Sequence, residues 1–230
     1  MNTLNPQPVN FKFGDYISQG FDLLKTNFGS IFLATLFTLL MSIIPFCGAV
    51  AVSNLLKFLR KIDNGESAQP SEIFNFSDFM KYFKPQLLIL VAVIVLYIPY
   101  IIIMALSGVF SGEQPSGFVG ILMMLYMLFF IVVVFYFTLK GFYIIALMSL
   151  KNVQGLKEAW DISKVMSSGN IIMIFLFSIV VGFLGEIGII LCGIGIFLTI
   201  PYIYTAQYFA YKDGIAQIEN NNLQEIVKNN

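Results

Sequence analysis

Long apolar runs separated by short polar segments dominate the chain, and they do not alternate in the way of barrel strands. The clearest are Leu87–Phe110, Gly120–Leu139 and an almost unbroken stretch from Ile171 to Ala210. A hydrocarbon core of about 30 Å needs about 20 helical residues to cross it, so the first two runs predict one helix each and the third has room for two. A fourth run, Ile31–Val52, reads either as one crossing or as a hairpin. Backbone polar groups in lipid must be satisfied internally, so helices are expected throughout.

Three short segments that precede apolar runs share a pattern: Phe21-Asp22-Leu23-Leu24-Lys25, Asp78-Phe79-Met80-Lys81 and Trp160-Asp161-Ile162-Ser163-Lys164. Apolar residues recur at helical spacing around the first two, as Ile17, Phe21, Leu24 and Phe28, and as Ile73, Phe76, Met80 and Phe83. The third is weaker, with Leu156 and Trp160 followed by Ser163. Each segment predicts an amphipathic helix lying in the headgroup layer ahead of a span. The plainer reading of the Asp and Lys pairs alone is a solvated helix face. Cys47-Gly48 and Cys192-Gly193 fall where hairpin turns are needed.

The expected fold is therefore all-α and integral to a membrane. It has six transmembrane helices, or five, arranged as three hairpins that each follow an interfacial amphipathic helix. A polar N-terminal segment covers 1–13, one membrane domain covers 14–212 with pseudo-repeats 14–62, 72–150 and 154–212, and a polar tail covers 213–230. The six spans are 28–45, 48–61, 87–110, 120–140, 171–184 and 190–211, and a helical extension of the fourth reaches Leu150. The second is short and contains Ser53 and Asn54, which favours only partial crossing. The five-span alternative takes Ile31–Val52 as a single crossing. The N-terminus shows no basic region and apolar core of a cleaved signal peptide.

Composition agrees with the pattern: of 230 residues, 58% are hydrophobic and only 11% charged, which excludes an ordinary soluble domain and a disordered chain. Thirteen basic and thirteen acidic residues cancel. Under the six-span topology all thirteen basic residues lie on one side, and Glu113 and Glu186 alone supply charge to the outer turns. The positive-inside rule then makes both termini cytoplasmic in a multi-pass cell-membrane protein. The chain has no histidine and two cysteines, so no cofactor, metal or catalytic residue is expected, and the protein is not expected to be an enzyme.

Leu59-Arg60-Lys61, Phe74-Asn75-Phe76, Gly193-Ile194-Gly195 with Pro201, and Tyr211-Lys212-Asp213 follow the Phe-Asp helix and the Pro-then-Gly turn in an order that resembles a group of uncharacterised bacterial integral membrane proteins. That group is similar to the membrane domain of some glycerophosphodiester phosphodiesterases. The resemblance, over roughly residues 14–213, implies a fold and a location and no reaction. Without a hydrolase domain, phosphodiesterase activity does not carry over; without histidine, the oxygenase-type names attached to some such chains find no support.

A few residues stand out as candidate working groups. Leu96-Tyr97-Ile98-Pro99-Tyr100 is echoed by Leu198-Thr199-Ile200-Pro201-Tyr202, and each proline frees a backbone carbonyl one turn earlier. A lipid or solute groove lined by Tyr97, Pro99, Tyr100, Thr199, Pro201, Tyr202 and Tyr204 would serve a transporter, the rival function. Proline kinks and interfacial tyrosines are also ordinary features of membrane helices. Glu186 reads as an outer-face carboxylate and Lys140 as a snorkelling cation. Cys47 and Cys192 would face the oxidising side, where a disulfide competes with the plainer reading of two small buried hydrophobes. The expected role is a non-enzymatic membrane protein in contact with lipids. No nucleic-acid partner is expected, and a protein partner or homo-oligomer is left open.

Overall fold

In the computed structural model, residues 6–112, 114–190 and 195–228 are described. Among them the chain forms α1 (Phe13–Thr26), α2 (Phe28–Ser42), α3 (Gly48–Asp63), α4 (Phe79–Leu106), α5 (Gly117–Lys140), α6 (Ile144–Leu150), α7 (Leu156–Met166), α8 (Ile171–Ile190) and α9 (Gly195–Lys228), with no strand. The chain divides into two compact units. The larger takes the chain up to Tyr82 and from Leu139 onward, and the smaller is Phe83–Thr138.

In the larger unit α9 is the axis, packed against α1, α2, α3, α6 and α8. Gly20 of α1 lies so close to Ala206 of α9 that an added Cβ would stand 2.7 Å from its backbone, which is why a glycine sits at this crossing. Tyr16, Gly20 and Leu24 make the buried face of α1, and Ala159, Ile162, Ser163 and Met166 that of α7. Both helices thus turn apolar residues into the protein, and α1 also leaves Phe21 exposed.

Two elbows repeat. The α1/α2 pair bends by 102° and the α7/α8 pair by 101°. At the first, Asn27 leaves helical geometry and its side-chain amide donates to the Leu23 carbonyl, closing α1. At the second, Gly169 takes a φ of 81° just before α8. These are the first and third units of the expected repeat. The second departs from it, because residues 70–83 do not form one amphipathic helix. Pro70–Phe74 is a 3-10 turn, Asn75 is extended, and α4 begins only at Phe79. The Asn54 amide donates to the Ile73 and Asn75 carbonyls, and the Asn75 side chain accepts the Ser77 N–H, so these backbone groups are held outside a helix. Ile73 is buried while Phe76 and Met80 are exposed, which removes the common apolar face.

The described residues show fewer spans than the six expected. Among them two helical segments, Phe79–Leu106 and Gly117–Leu150, are long and apolar enough to cross a membrane alone, and counting each elbow as one span raises the number to four. The expected second span fails because α3 is a core helix. Its 16 residues reach about 24 Å at 1.5 Å per residue, and its residues from Val50 to Leu59, apart from Val52 and Lys57, are buried in the larger unit. The turn at 43–47 likewise breaks Ile31–Val52 into two helices, against its reading as one crossing. Beyond Asp213 the polar stretch continues α9 to Lys228, with Ile215 and Ile218 buried.

Candidate functional site

The smaller unit is an apolar hairpin. Along α4, Leu87, Leu88, Ile94, Val95, Ile98 and Ile101 are all exposed, and α5 matches them with Leu125, Leu128, Phe129, Val132 and Phe135. Specific contacts join its two helices. The Tyr126 hydroxyl donates to the Leu96 carbonyl, three residues before Pro99, where the proline disturbs the helical ladder. Tyr97 meets Phe130 edge-on at 5.0 Å, and Tyr100 stacks on Tyr126 at 6.0 Å.

Charge concentrates in the larger unit. Asp213 accepts hydrogen bonds from the Tyr16 hydroxyl at 2.6 Å, Lys12 at 2.9 Å and Gln217 at 2.6 Å. Burial pushes this carboxyl up, but the three donors outweigh it and leave its pKa below the ordinary carboxylate value. The bond to Asp213 raises the Lys12 ammonium above its ordinary value. Asp63 is held the same way, by the Tyr208 hydroxyl at 2.8 Å and by Lys212. Lys57 pairs with Asp78 at 2.5 Å and Lys61 with Glu72 at 2.8 Å, and each lysine lowers the pKa of its partner. Lys151 meets Glu219, and Arg60 donates to the Leu150 carbonyl. Apart from the Gln217–Asp213 bond within α9, each bond ties α3 or α9 to another part of the chain, so the belt fixes the fold's charged rim.

The sequence-predicted residues separate between these settings. Tyr97, Pro99 and Tyr100 belong to the hairpin; Thr199, Pro201, Tyr202 and Tyr204 belong to the larger unit, where Thr199 donates to the Gly185 carbonyl and the Tyr202 hydroxyl to that of Ile17 at 3.2 Å. Glu186 is exposed on α8, and the Lys140 carbonyl accepts the Ser163 hydroxyl at 2.7 Å. Cys47 is buried, while Cys192 and Glu113 lie outside the described residues. Among the described residues no three acidic or cysteine side chains converge as a metal site requires. The Asp213 and Asp63 networks were missed at the sequence level. Their α9 halves, Tyr208 with Lys212 and Asp213 with Gln217, do show the i,i+4 spacing of one helix face.

A family model matches residues 36–200, well over half of the chain. The chain belongs to DUF4013, a protein family of unknown function. The DUF4013 match runs from within α2 to the residue before Pro201. It therefore contains the apolar hairpin, α3 and the Lys57–Asp78 and Lys61–Glu72 pairs, and leaves α1 and the Asp213 network outside. No curated protein and no solved structure matches the chain.

Proposed function

We propose that this DUF4013 protein is a multi-pass protein of the bacterial cytoplasmic membrane that works through contact with lipids or a protein partner, without catalysing a reaction. The observation that carries the reading is the α4/α5 hairpin, apolar and exposed along both helices. In water such a surface is a large standing cost; in lipid it is the normal exterior. The resemblance proposed from the sequence, to membrane domains of glycerophosphodiester phosphodiesterases, points to the same location and supplies no reaction.

Both termini lie on the cytoplasmic side in this proposal. Support comes from the Lys12–Asp213 ion pair and the Asn10–Gln217 bonds, which hold the N-terminal segment against α9, together with the lysine-rich rim. The test uses single cysteines, Lys12→Cys and Glu113→Cys, in a chain lacking Cys47 and Cys192, exposed to an impermeant thiol reagent from outside intact cells. Labelling at 113 and not at 12 is expected. Labelling at 12 but not at 113 contradicts the proposal.

A further inference from the structure

We infer that the α2/α3 hairpin is re-entrant: it dips into one leaflet from the lysine-rich side, its tip at Ile43–Pro45 ends among acyl chains, and it returns to the same face. The inference rests on the membrane reading above and concerns a different part of the chain.

Length is the first argument. At 1.5 Å per residue, α2 with 15 residues reaches about 22 Å and α3 with 16 about 24 Å, against a hydrocarbon thickness of about 30 Å. The usable reach is shorter still. Lys57 follows Gly48 by nine residues, and its ion pair with Asp78 fixes a charged layer about 14 Å below the start of α3. Asn54, which fastens the polar loop at Asn75, lies only about 9 Å below that start. In α4, by contrast, Lys84 is followed by 22 residues without a charge up to Leu106, about 33 Å.

The chemistry of the two turns is the second argument. The α4/α5 turn places glycines in left-handed backbone, Gly108 at φ 74° and Gly112 at φ 82°, among Ser107, Ser111, Gln114 and Ser116. That is the make-up of a turn in water. The α2/α3 turn reads Ser42-Ile43-Ile44-Pro45-Phe46-Cys47, with no charge. Its left-handed position holds Phe46 at φ 62°, a conformation that residues with a Cβ rarely adopt. Ile43 is 77% exposed and Ile44 49%, so the protein itself does not cover the tip. An uncovered apolar tip that cannot reach the far face ends in hydrocarbon.

The experiment adds Ile44→Cys to the cysteine-free chain, with Ile43→Cys as a second probe in case the first is not produced. Lys12→Cys and Glu113→Cys serve as controls for the two faces. Position 44 is expected to lose labelling by the impermeant reagent from both faces and to regain it in detergent. A bimane placed there is expected to be quenched by bromines carried on acyl chains and not by aqueous iodide. Labelling at 44 from the face that labels 113 would mean a complete crossing, and labelling from the face that labels 12 would mean a tip in water; either overturns the inference. Failure of the controls to separate, with position 44 still shielded, counts against the proposed topology and leaves the re-entrant tip standing.

Discussion

Leu88 on α4 is 62% exposed and Leu55 on α3 is fully buried, although both sit in helices of one apolar chain. The contrast extends to the units that contain them. The larger unit folds around its own interior, with α3 buried, tyrosine hydroxyls bonded to carboxylates, and lysines paired around a rim. The hairpin has no such interior and turns its leucines, isoleucines and phenylalanines outward. The same residue types are thus used in two settings. The first set is packed inside the protein, and the second faces outward, where lipid, which is as apolar as a leucine, removes the drive to bury it.

This difference can be broken first in the core. Phe58→Ala is expected to destabilise the larger unit by about 3–5 kcal/mol, because it empties a fully buried site. Leu88→Ala, on the hairpin exterior, should change stability by no more than about 0.5 kcal/mol. Thermal melts of the detergent-solubilised protein measure both, and equal losses would erase the distinction. A charge reverses the ranking. Leu128→Arg puts a cation mid-way along α5 and should lose about 2.5–3.5 kcal/mol of insertion free energy, read as a fall in the membrane-integrated fraction.

Asn54→Leu tests the loop that replaces the expected second amphipathic helix. It leaves the Ile73 and Asn75 carbonyls without their amide donor, a loss of about 1–3 kcal/mol, visible as faster proteolysis between residues 70 and 78.

The polar segments were the harder part to read. The step into an apolar run at each elbow was legible, since polar residues at Asn27 and Ser167–Asn170 precede the runs from Ile31 and Ile171, but the sharp bend itself was not. The hairpin was legible for a similar reason, since two charge-free runs admit few alternatives. The segment around Ile73, Phe76 and Met80 carried the right spacing, but Asn54, nineteen residues before Ile73, captured its backbone. Hydrogen bonds of that range leave no periodic trace. The same holds for Asp213 with Tyr16 and Asp63 with Lys212, pairs separated by 197 and 149 residues. The shortness of α3 was foreshadowed by Ser53 and Asn54, whose partners, Tyr82 and the 73–75 loop, only the fold reveals.

A smaller effect follows from pH. Glu72, Asp78 and Asp213 titrate below their ordinary values in the folded chain. Their stabilisation is present above the unfolded value of about 4 and is lost as pH falls through the lower folded values. Lys12, raised when folded, contributes below about pH 10.4 and loses that contribution as pH rises further. Stability should therefore be level across neutral pH, with an acid loss that weakens in Asp213→Asn; an unchanged acid limb in that variant would remove Asp213 from the account. Exposed pairs of this type contribute at most about 1 kcal/mol each.

The central claim is that the α4/α5 hairpin crosses the bilayer. Nitroxide labels stepped one residue at a time from Lys84 to Leu106 in liposome-reconstituted protein, read by the ratio of oxygen to nickel-chelate collision rates, give depth directly. The account predicts a depth that rises to about 15 Å near Val95 and falls again toward Leu106, as a full crossing requires. A profile that is water-like throughout, or that deepens steadily without returning, would contradict it.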